Sequence, residues 1–377
     1  MARSSKTWVG LDLGSTGVRA VKLRGVDDEG FAIIERFALV PMRGDAIVAG
    51  KVRNPQLVAQ AAKRALKAVK APSGAVVVGL TAAEQGIARI ALPAAVRQSE
   101  RLSAIKTMQV QIAAAVPMND AALSANFVRE ESTADGRRVA ALLVAAALEH
   151  DVDLLTKVCQ LAGFEPRAVD LAGAGTLRAL VRDLPGSRDN ATIVDIGATT
   201  TTVITREGLY LRSSRGFTGG GIDLTRAIAG AARESLEDAE RHKFSLRLPT
   251  QLTQTATGYG GLGDDDDATR LAAETAIERA LGTAADLLVD QIAQTVESDA
   301  LSGVTRNVAL CGQTALLRGF KERLQRRLGV EVRIGHPWAR LERSKLNAEH
   351  FHGGREDPRL MLALATATGL ALWRDAR

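Results

Sequence analysis

Apolar positions along the chain fall into two copies of one pattern. In Thr7–Leu23 (TWVGLDLGSTGVRAVKL), Val9 and Leu11 alternate with small or polar residues. A turn of Asp12, Gly14, Ser15, Thr16 and Gly17 follows, and alternation resumes through Val18, Ala20 and Val21. Period-two alternation around a glycine-rich turn predicts a β-hairpin. The same grammar returns in Thr192–Ile204 (TIVDIGATTTTVI): an apolar strand, Asp195, Gly197, a small tip of Ala198 and Thr199, then β-branched residues. Both copies carry D-x-G-x-T, and they stand 183 residues apart. That spacing is far too long for a solenoid repeat and predicts two domains of like topology facing each other across a cleft.

Further elements follow from the same periodicities. Ala75–Leu80 reads as a strand. Leu92–Val128 begins with a Leu-Pro entry and continues as a helix, then Val116-Pro117 and a strand. Val139–His150 (VAALLVAAALEH) is a buried strand opening a helix that runs on over Val152–Gly163, and Ala168–Leu171 is a strand. Gly219, Gly220 and Gly221 lead into a helical pattern at Ile222, Leu224, Ile228 and Ala231. Ser235–Lys243 is helical, with Glu240 and Lys243 on one face. Val308–Leu310 is a buried strand ended by Gly312; Gln313 and Thr314 turn, and a helix is expected over Ala315–Leu328. Asp183–Asn190 reads as a hinge, and Leu246–Asp267, with its four consecutive aspartates, as a surface loop.

Composition narrows the class. The chain has 377 residues, which suits two or three domains. Aromatics are only 3%, so the core must rest on Ala, Val, Leu and Ile. Cys159 and Cys311 sit in apolar stretches and read as buried thiols of a reducing compartment. The net charge of +6 would suit nucleic acid or an anionic membrane. The positive residues are scattered, however, and the densest cluster, Lys321–Arg327, reads as the solvated outer face of one helix with no aromatic stacking set. No nucleic-acid partner is expected. Met1–Lys6 leads into a strand pattern rather than an apolar signal segment, and no apolar run is long enough to span a bilayer. The expected location is cytoplasmic. His336, His350 and His352 lack further metal ligands nearby, and Asn347–Asp357 is read as a surface loop.

The paired hairpins carry the chemistry. A phosphate chain needs backbone N–H groups at close range, hence glycine in the turn, and the hydroxyls of Ser15, Thr16 and Thr199 can donate to phosphate oxygens. A carboxylate beside a polyphosphate is repelled unless a cation lies between, so Asp12 and Asp195 imply Mg²⁺, held through waters. The glycines before the Ile222 helix would aim free N–H groups at an anion. A strand, a glycine turn and a helix at Gly312 form a place where doubly wound sheets put ligands.

This order of parts resembles the actin-like ATPase superfamily. The resemblance implies an α/β fold of two duplicated ribonuclease-H-like domains flanking an ATP cleft. Asp12–Gly17 resembles the first phosphate motif, and Asp195 with Gly197, Ala198 and Thr199 the second. Gly219–Gly220 resembles the glycine pair near the phosphates, and Glu240 and Lys243 in AERHK the contact to ribose and adenine. Gly312, Gln313 and Thr314 resemble the adenosine motif, where the superfamily usually has more glycine than Gln313 and Thr314 supply. Within the superfamily, LPAAVRQSERLSAI and LLVAAALEHDVDLLTKVCQLAGFEPRAVDLAGAGTLRAL are similar to PilM-type proteins of type IV pilus assembly. FtsA-type proteins are the near rival, but they carry an amphipathic tail, whereas Leu370–Arg377 follows directly on a helix expected to pack back on the first domain. The implied division is 1–84, 153–186 and 356–377 as domain 1A, 85–152 as an inserted FtsA-type 1C subdomain, 187–230 and 305–355 as 2A, and 231–304 as 2B. The implied partner is the N-terminal cytoplasmic peptide of a PilN-like inner-membrane protein, in a groove lined from Leu92–Val128 and Val139–Leu155, with the membrane reached through partners alone. Hydrolysis is expected to be slow at most, because no sure base is evident; Glu84 reads as part of a solvated turn. An FtsA-like scaffold, a small-molecule kinase and a nucleotide-independent scaffold are the alternatives, and self-association and the choice between pilus and type II secretion stay open.

Overall fold

The computed structural model describes residues 7–26, 31–42, 45–81, 85–92, 121–132, 138–181, 183, 190–207, 210–248, 265–299, 307–346, 351–352 and 355–373. The chain opens with a meander of β1 (Thr7–Gly14), β2 (Gly17–Arg24) and β3 (Ala32–Pro41), followed by a minimal hairpin, β4 (Ile47–Val48) and β5 (Lys51–Val52). Helix α1 (Pro55–Ala68) starts where proline is tolerated, at its first position, and the Asn54 side chain accepts the Leu57 N–H at 3.0 Å. Then come β6 (Val76–Leu80), β7 (Gln85–Leu92), β8 (Ala121–Ser132) and β9 (Arg138–Leu148). Helix α2 (Glu149–Leu161), β10 (Pro166–Leu171) and α3 (Ala172–Leu180) complete the first half.

The second half repeats the plan. A meander of β11 (Ala191–Ile196), β12 (Thr200–Glu207) and β13 (Tyr210–Thr218) leads to α4 (Gly221–Ala232), α5 (Leu236–Lys243) and α6 (Asp265–Asp299). β14 (Asn307–Cys311), α7 (Phe320–Leu328), β15 (Glu331–Ile334) and β16 (Leu341–Glu342) follow. A small hairpin, β17 (Phe351–His352) and β18 (Arg355–Glu356), precedes α8 (Pro358–Ala363) and α9 (Ala365–Ala371).

The duplication is plain in the sheets. One runs β10-β6-β1-β2-β3-β16 and the other β13-β12-β11-β14-β15. In each, a three-stranded antiparallel meander is extended from its first strand by two parallel strands. β6 (VVVGL) is buried throughout, as a parallel strand covered on both faces must be. β7, β9 and β8 form a separate antiparallel sheet inserted in the first half.

One apolar cluster joins the two large sheets through α3 and α9: Val21 and Val77 from the first meet Ile193 and Ile204 from the second around Leu177, Ala367 and Leu370. The outer face of the first sheet is covered by α1 and α2, that of the second by α4, α6 and α7. With so few aromatics, small residues let backbones approach. A Cβ on Gly369 would lie 1.7 Å from the Gly175 carbonyl oxygen, and one on Gly10 would lie 1.9 Å from that of Ala367. Cys159 and Cys311 are both buried, as expected; burial pushes the Cys159 thiol up to about 12 and raises that of Cys311.

Three expectations need correction. The helix anticipated over Ala315–Leu328 is a 3-10 turn at Gln313–Leu316 followed by α7, because Gly319, at φ 89°, breaks the run in the left-handed region. Asp265–Asp267 belong to the first turn of α6 rather than to a loop, consistent with the preference for negative charge at a helix N-terminus. The basic cluster of α7 is not a fully solvated face: Arg323 is buried and donates to Gly282 O and Asp286, and Arg327 pairs with Asp290 and Glu297. Glu84, residues 93–120, most of the 183–190 hinge, residues 249–264 and His350 lie outside the described residues.

The helix seam gives a contrast in stability. Gly369→Ala should destabilise by roughly 3 kcal/mol, since backbone must move. Gly230→Ala, inside α4 with nothing within 4 Å of the new Cβ, should stabilise by about 0.5–1 kcal/mol. Urea midpoints at unchanged m-value check both, and equal midpoints for the two variants would refute this account of the seam.

Candidate functional site

A cavity of about 580 Å³ opens between the two halves. Its wall includes Asp12, Gly14, Ser15 and Thr16 from the first hairpin and Asp195, Gly197, Ala198 and Thr199 from the second. The two tips touch: the Thr199 hydroxyl lies 3.0 Å from that of Ser15 and donates to it. Residues far apart in sequence thus form one polar surface, with the carboxylates of Asp12 and Asp195 both on the cavity wall.

The two aspartates occupy equivalent places in the duplicated meanders but have different partners. Asp12 is paired in register with Arg19, whose Nη1 donates to Asp12 Oδ2 at 3.3 Å and whose Nη2 donates to Thr16 Oγ1 at 3.4 Å. Asp195 is paired in register with Thr202. Its Oδ2 accepts from Thr176 Oγ1 on α3 and from Thr366 Oγ1 on α9, each at 3.1 Å. Burial pushes the Asp12 carboxyl above its ordinary value, against the charge and hydrogen bond of Arg19. Asp195 is raised by burial and then by the negative charge of Asp12, against the two threonine hydrogen bonds and the charge of Arg19.

Not every expected residue reaches the cavity. Gly17, Gly219 and Gly220 are not in its wall and serve close packing. A Cβ on Gly17 would lie 2.6 Å from Val40 O, and one on Gly220 would lie 2.5 Å from Gly197 O. The expected free N–H groups before α4 are already used. Gly219, Gly221 and Ile222 donate to the carbonyls of Thr199, Gly197 and Ala198, and Gly220 donates to Asp223 Oδ2. The glycine run therefore clasps the second hairpin.

Lys243 is likewise a fastener. It is buried, and its three N–H donors reach Glu240 Oε2 at 2.7 Å, Thr225 Oγ1 at 3.0 Å and Gly221 O at 3.2 Å. Burial lowers its pKa, opposed by Glu240. This network ties α5 to the start of α4, and both Glu240 and Lys243 remain on the cavity wall. Gly312, at φ 80°, ends β14 where a Cβ would sit 2.2 Å from Ile196 O. Beyond it, Gln313 and Thr314 also line the cavity, with Gln313 Nε2 donating to Arg359 O at 3.4 Å. The Phe244 ring, on the same wall, carries the Lys243 ammonium at 5.1 Å and the Arg359 guanidinium at 4.6 Å. Sequence reasoning missed Arg19, Thr176, Thr366, Phe244 and Arg359.

Two meanders of one topology, each extended by parallel strands and meeting tip to tip over a shared cavity, define the actin-like ATPase fold. Solved structures agree. The chain is similar to a PilM–PilN type IV pilus biogenesis complex, at 21% identity over 98% of each chain with a TM-score of 0.71. It is also similar to ethanolamine utilization protein EutJ from Carboxydothermus hydrogenoformans, at 17% identity over 97% of this chain and 89% of that one, with a TM-score of 0.51. The family model for type IV pilus assembly protein PilM matches residues 10–256, well over half of the chain, and the chain belongs to that family. The model for cell division protein FtsA matches residues 192–365. Among curated proteins, none matches this chain.

The raised carboxyls have a consequence for pH. The unfolded chain ionises them at ordinary carboxylate pH, whereas the folded chain keeps their protons to higher pH. From the ordinary value up through the raised folded values, the folded state therefore binds more protons and loses stability as pH rises. Asp195→Asn should raise the melting temperature of the ligand-free protein at pH 8, with the gain shrinking toward pH 3. A gain equal at both pH values would contradict this assignment.

Proposed function

We propose that this chain binds ATP with Mg²⁺ in the cavity between its halves. In this reading, nucleotide occupancy governs docking of the N-terminal cytoplasmic peptide of a PilN-like inner-membrane protein, in a type IV pilus or related assembly machine. The supporting observation is the convergence of two D-x-G-x-T hairpins on one cavity with their tips in contact. The donor set fits the metal. Two facing carboxylates among hydroxyls are hard oxygen groups, and Mg²⁺ characteristically takes one or two carboxylates together with waters and phosphate oxygens. Asp12 and Asp195 would hold it through waters, and it would neutralise charge between carboxylates and phosphates.

The chain's own groups have separable tasks. Gly14, Ser15 and Thr16 face Gly197, Ala198 and Thr199 and would contact the phosphates from opposite sides. Arg19 offers a cation at the first hairpin, and Glu240, Lys243, Gly312, Gln313 and Thr314 would surround the nucleoside end. The domain division given for the sequence is part of this proposal, with the β7-β9-β8 sheet inside 1C and the peptide in the groove beside it. Extended peptides of this kind gain affinity through main-chain bonds and selectivity through side-chain pockets. The membrane would be reached through that partner; among the described residues no helix is long and apolar enough to cross a membrane.

Calorimetric titration tests the nucleotide site. Asp12→Ala and Asp195→Ala should each weaken ATP binding in Mg²⁺ at least tenfold, or about 1.4 kcal/mol. Wild-type affinity in both would reject the site. Peptide affinity, measured by anisotropy with and without ATP and Mg²⁺, should differ about fivefold or more. Identical affinities would remove the proposed control while leaving the nucleotide site untouched.

A further inference from the structure

Three oxygens meet beside the cavity in a way that the binding of phosphate does not require. Thr176 Oγ1 and Thr366 Oγ1 are each 3.1 Å from Asp195 Oδ2 and 2.8 Å from one another. Both threonines are buried, and they arrive from different helices, 19 and 171 positions away from Asp195 in sequence. Each hydroxyl has one proton, and either can donate to the other across the 2.8 Å contact, so Oδ2 accepts from one of them or from both. The second contact of Thr176, to Ala172 O at 3.3 Å, is the longer one. A carboxylate torsion is normally broad and two-fold. Hydroxyls from two helices, in contact with it and with each other, fix the plane of this one and commit Oδ2 to the helix seam.

That seam is rigid. Thr176 follows Gly175, whose carbonyl oxygen lies where a Cβ on Gly369 would be, three residues after Thr366. Asp195, on β11 of the second sheet, is thereby tied to two helices that also pack on the first. Close-packed seams of this kind shift between discrete arrangements rather than deform continuously.

Resting on the reading of the cavity as an ATP–Mg²⁺ site, we infer that Thr176 and Thr366 are positioning residues: they hold Oδ2 of Asp195 so that Oδ1 is presented to the cation, and they couple cation binding to the α3–α9 seam. The chain carries its own reporter of that seam. It has three tryptophans, and all lie around α9. The Trp338 indole N–H donates to Thr368 Oγ1 at 3.1 Å, and Trp8 stacks edge-on against Trp373 at 5.3 Å.

The test compares Thr176→Val, Thr366→Val and the corresponding serine variants with the unmodified protein. ATP affinity is measured in Mg²⁺ and in EDTA, and tryptophan emission is followed during each titration. The valine variants should lose at least fivefold of the Mg²⁺ enhancement of ATP affinity while EDTA affinity stays within twofold. Their emission change on adding Mg²⁺ to the ATP complex should disappear, and serine should restore both. Valine variants that keep the full enhancement, or that weaken binding equally in Mg²⁺ and EDTA, overturn the inference. An unmodified protein without Mg²⁺-dependent ATP binding overturns the nucleotide reading as well. Should Thr176→Val fail to fold, Thr366→Val alone decides, with the same expected loss of at least fivefold.

Discussion

Two carboxylates of like charge share one cavity, and much of the surrounding structure manages that repulsion. Duplicating a hairpin with an acidic residue at its mouth, and bringing the copies together, places Asp12 against Asp195. Each needs favourable partners if it is to stay ionised there. The halves meet the requirement differently. In the first, the answer lies within the hairpin, because the strand partner of Asp12 is Arg19. In the second, the strand partner is Thr202, which brings no charge, and help comes from hydroxyls on two helices. The symmetry of the backbone is therefore broken by the chemistry of its side chains.

Glycine does two kinds of work around this cavity. At Gly14 and Gly197 it lies on the wall, where a ligand would approach. At Gly17, Gly220 and Gly312 it lets one piece of backbone rest on another, and a methyl group at any of the three would strike a carbonyl oxygen. The run before α4 belongs to the second kind. Its N–H groups hold the hairpin of the second half, so the shape of that hairpin is set by a helix start and not by its own turn alone.

Much of this was legible in the sequence. Period-two alternation around Gly-Ser-Thr and Gly-Ala-Thr tips located both hairpins, and their repetition announced a duplicated fold. Arg19 was within reach too. Once Gly14 is set opposite Gly17, counting back along each strand places Arg19 opposite Asp12. Thr176 and Thr366 were not within reach, because no local pattern marks a hydroxyl that meets a carboxylate through tertiary packing. The pair Phe244 and Arg359 is hidden for the same reason, coming from α5's end and α8. The glycine run was misjudged because sequence shows that N–H groups exist at a helix start but not which carbonyls will claim them. Gly319 was passed over because one glycine within an apolar periodicity can be helical, and its left-handed φ became evident in three dimensions.

The contact between Ser15 and Thr199 has a bearing on how the molecule rests. It joins two uncharged hydroxyls, and such a bond contributes on the order of 1 kcal/mol net. The halves are thus latched at the mouth by something weak, while the glycine seam behind the cavity is tightly packed. A jaw with a stiff pivot and a light catch opens at its lip first. An anion arriving there would exchange one neutral contact for charge-assisted ones, which are about twice as strong.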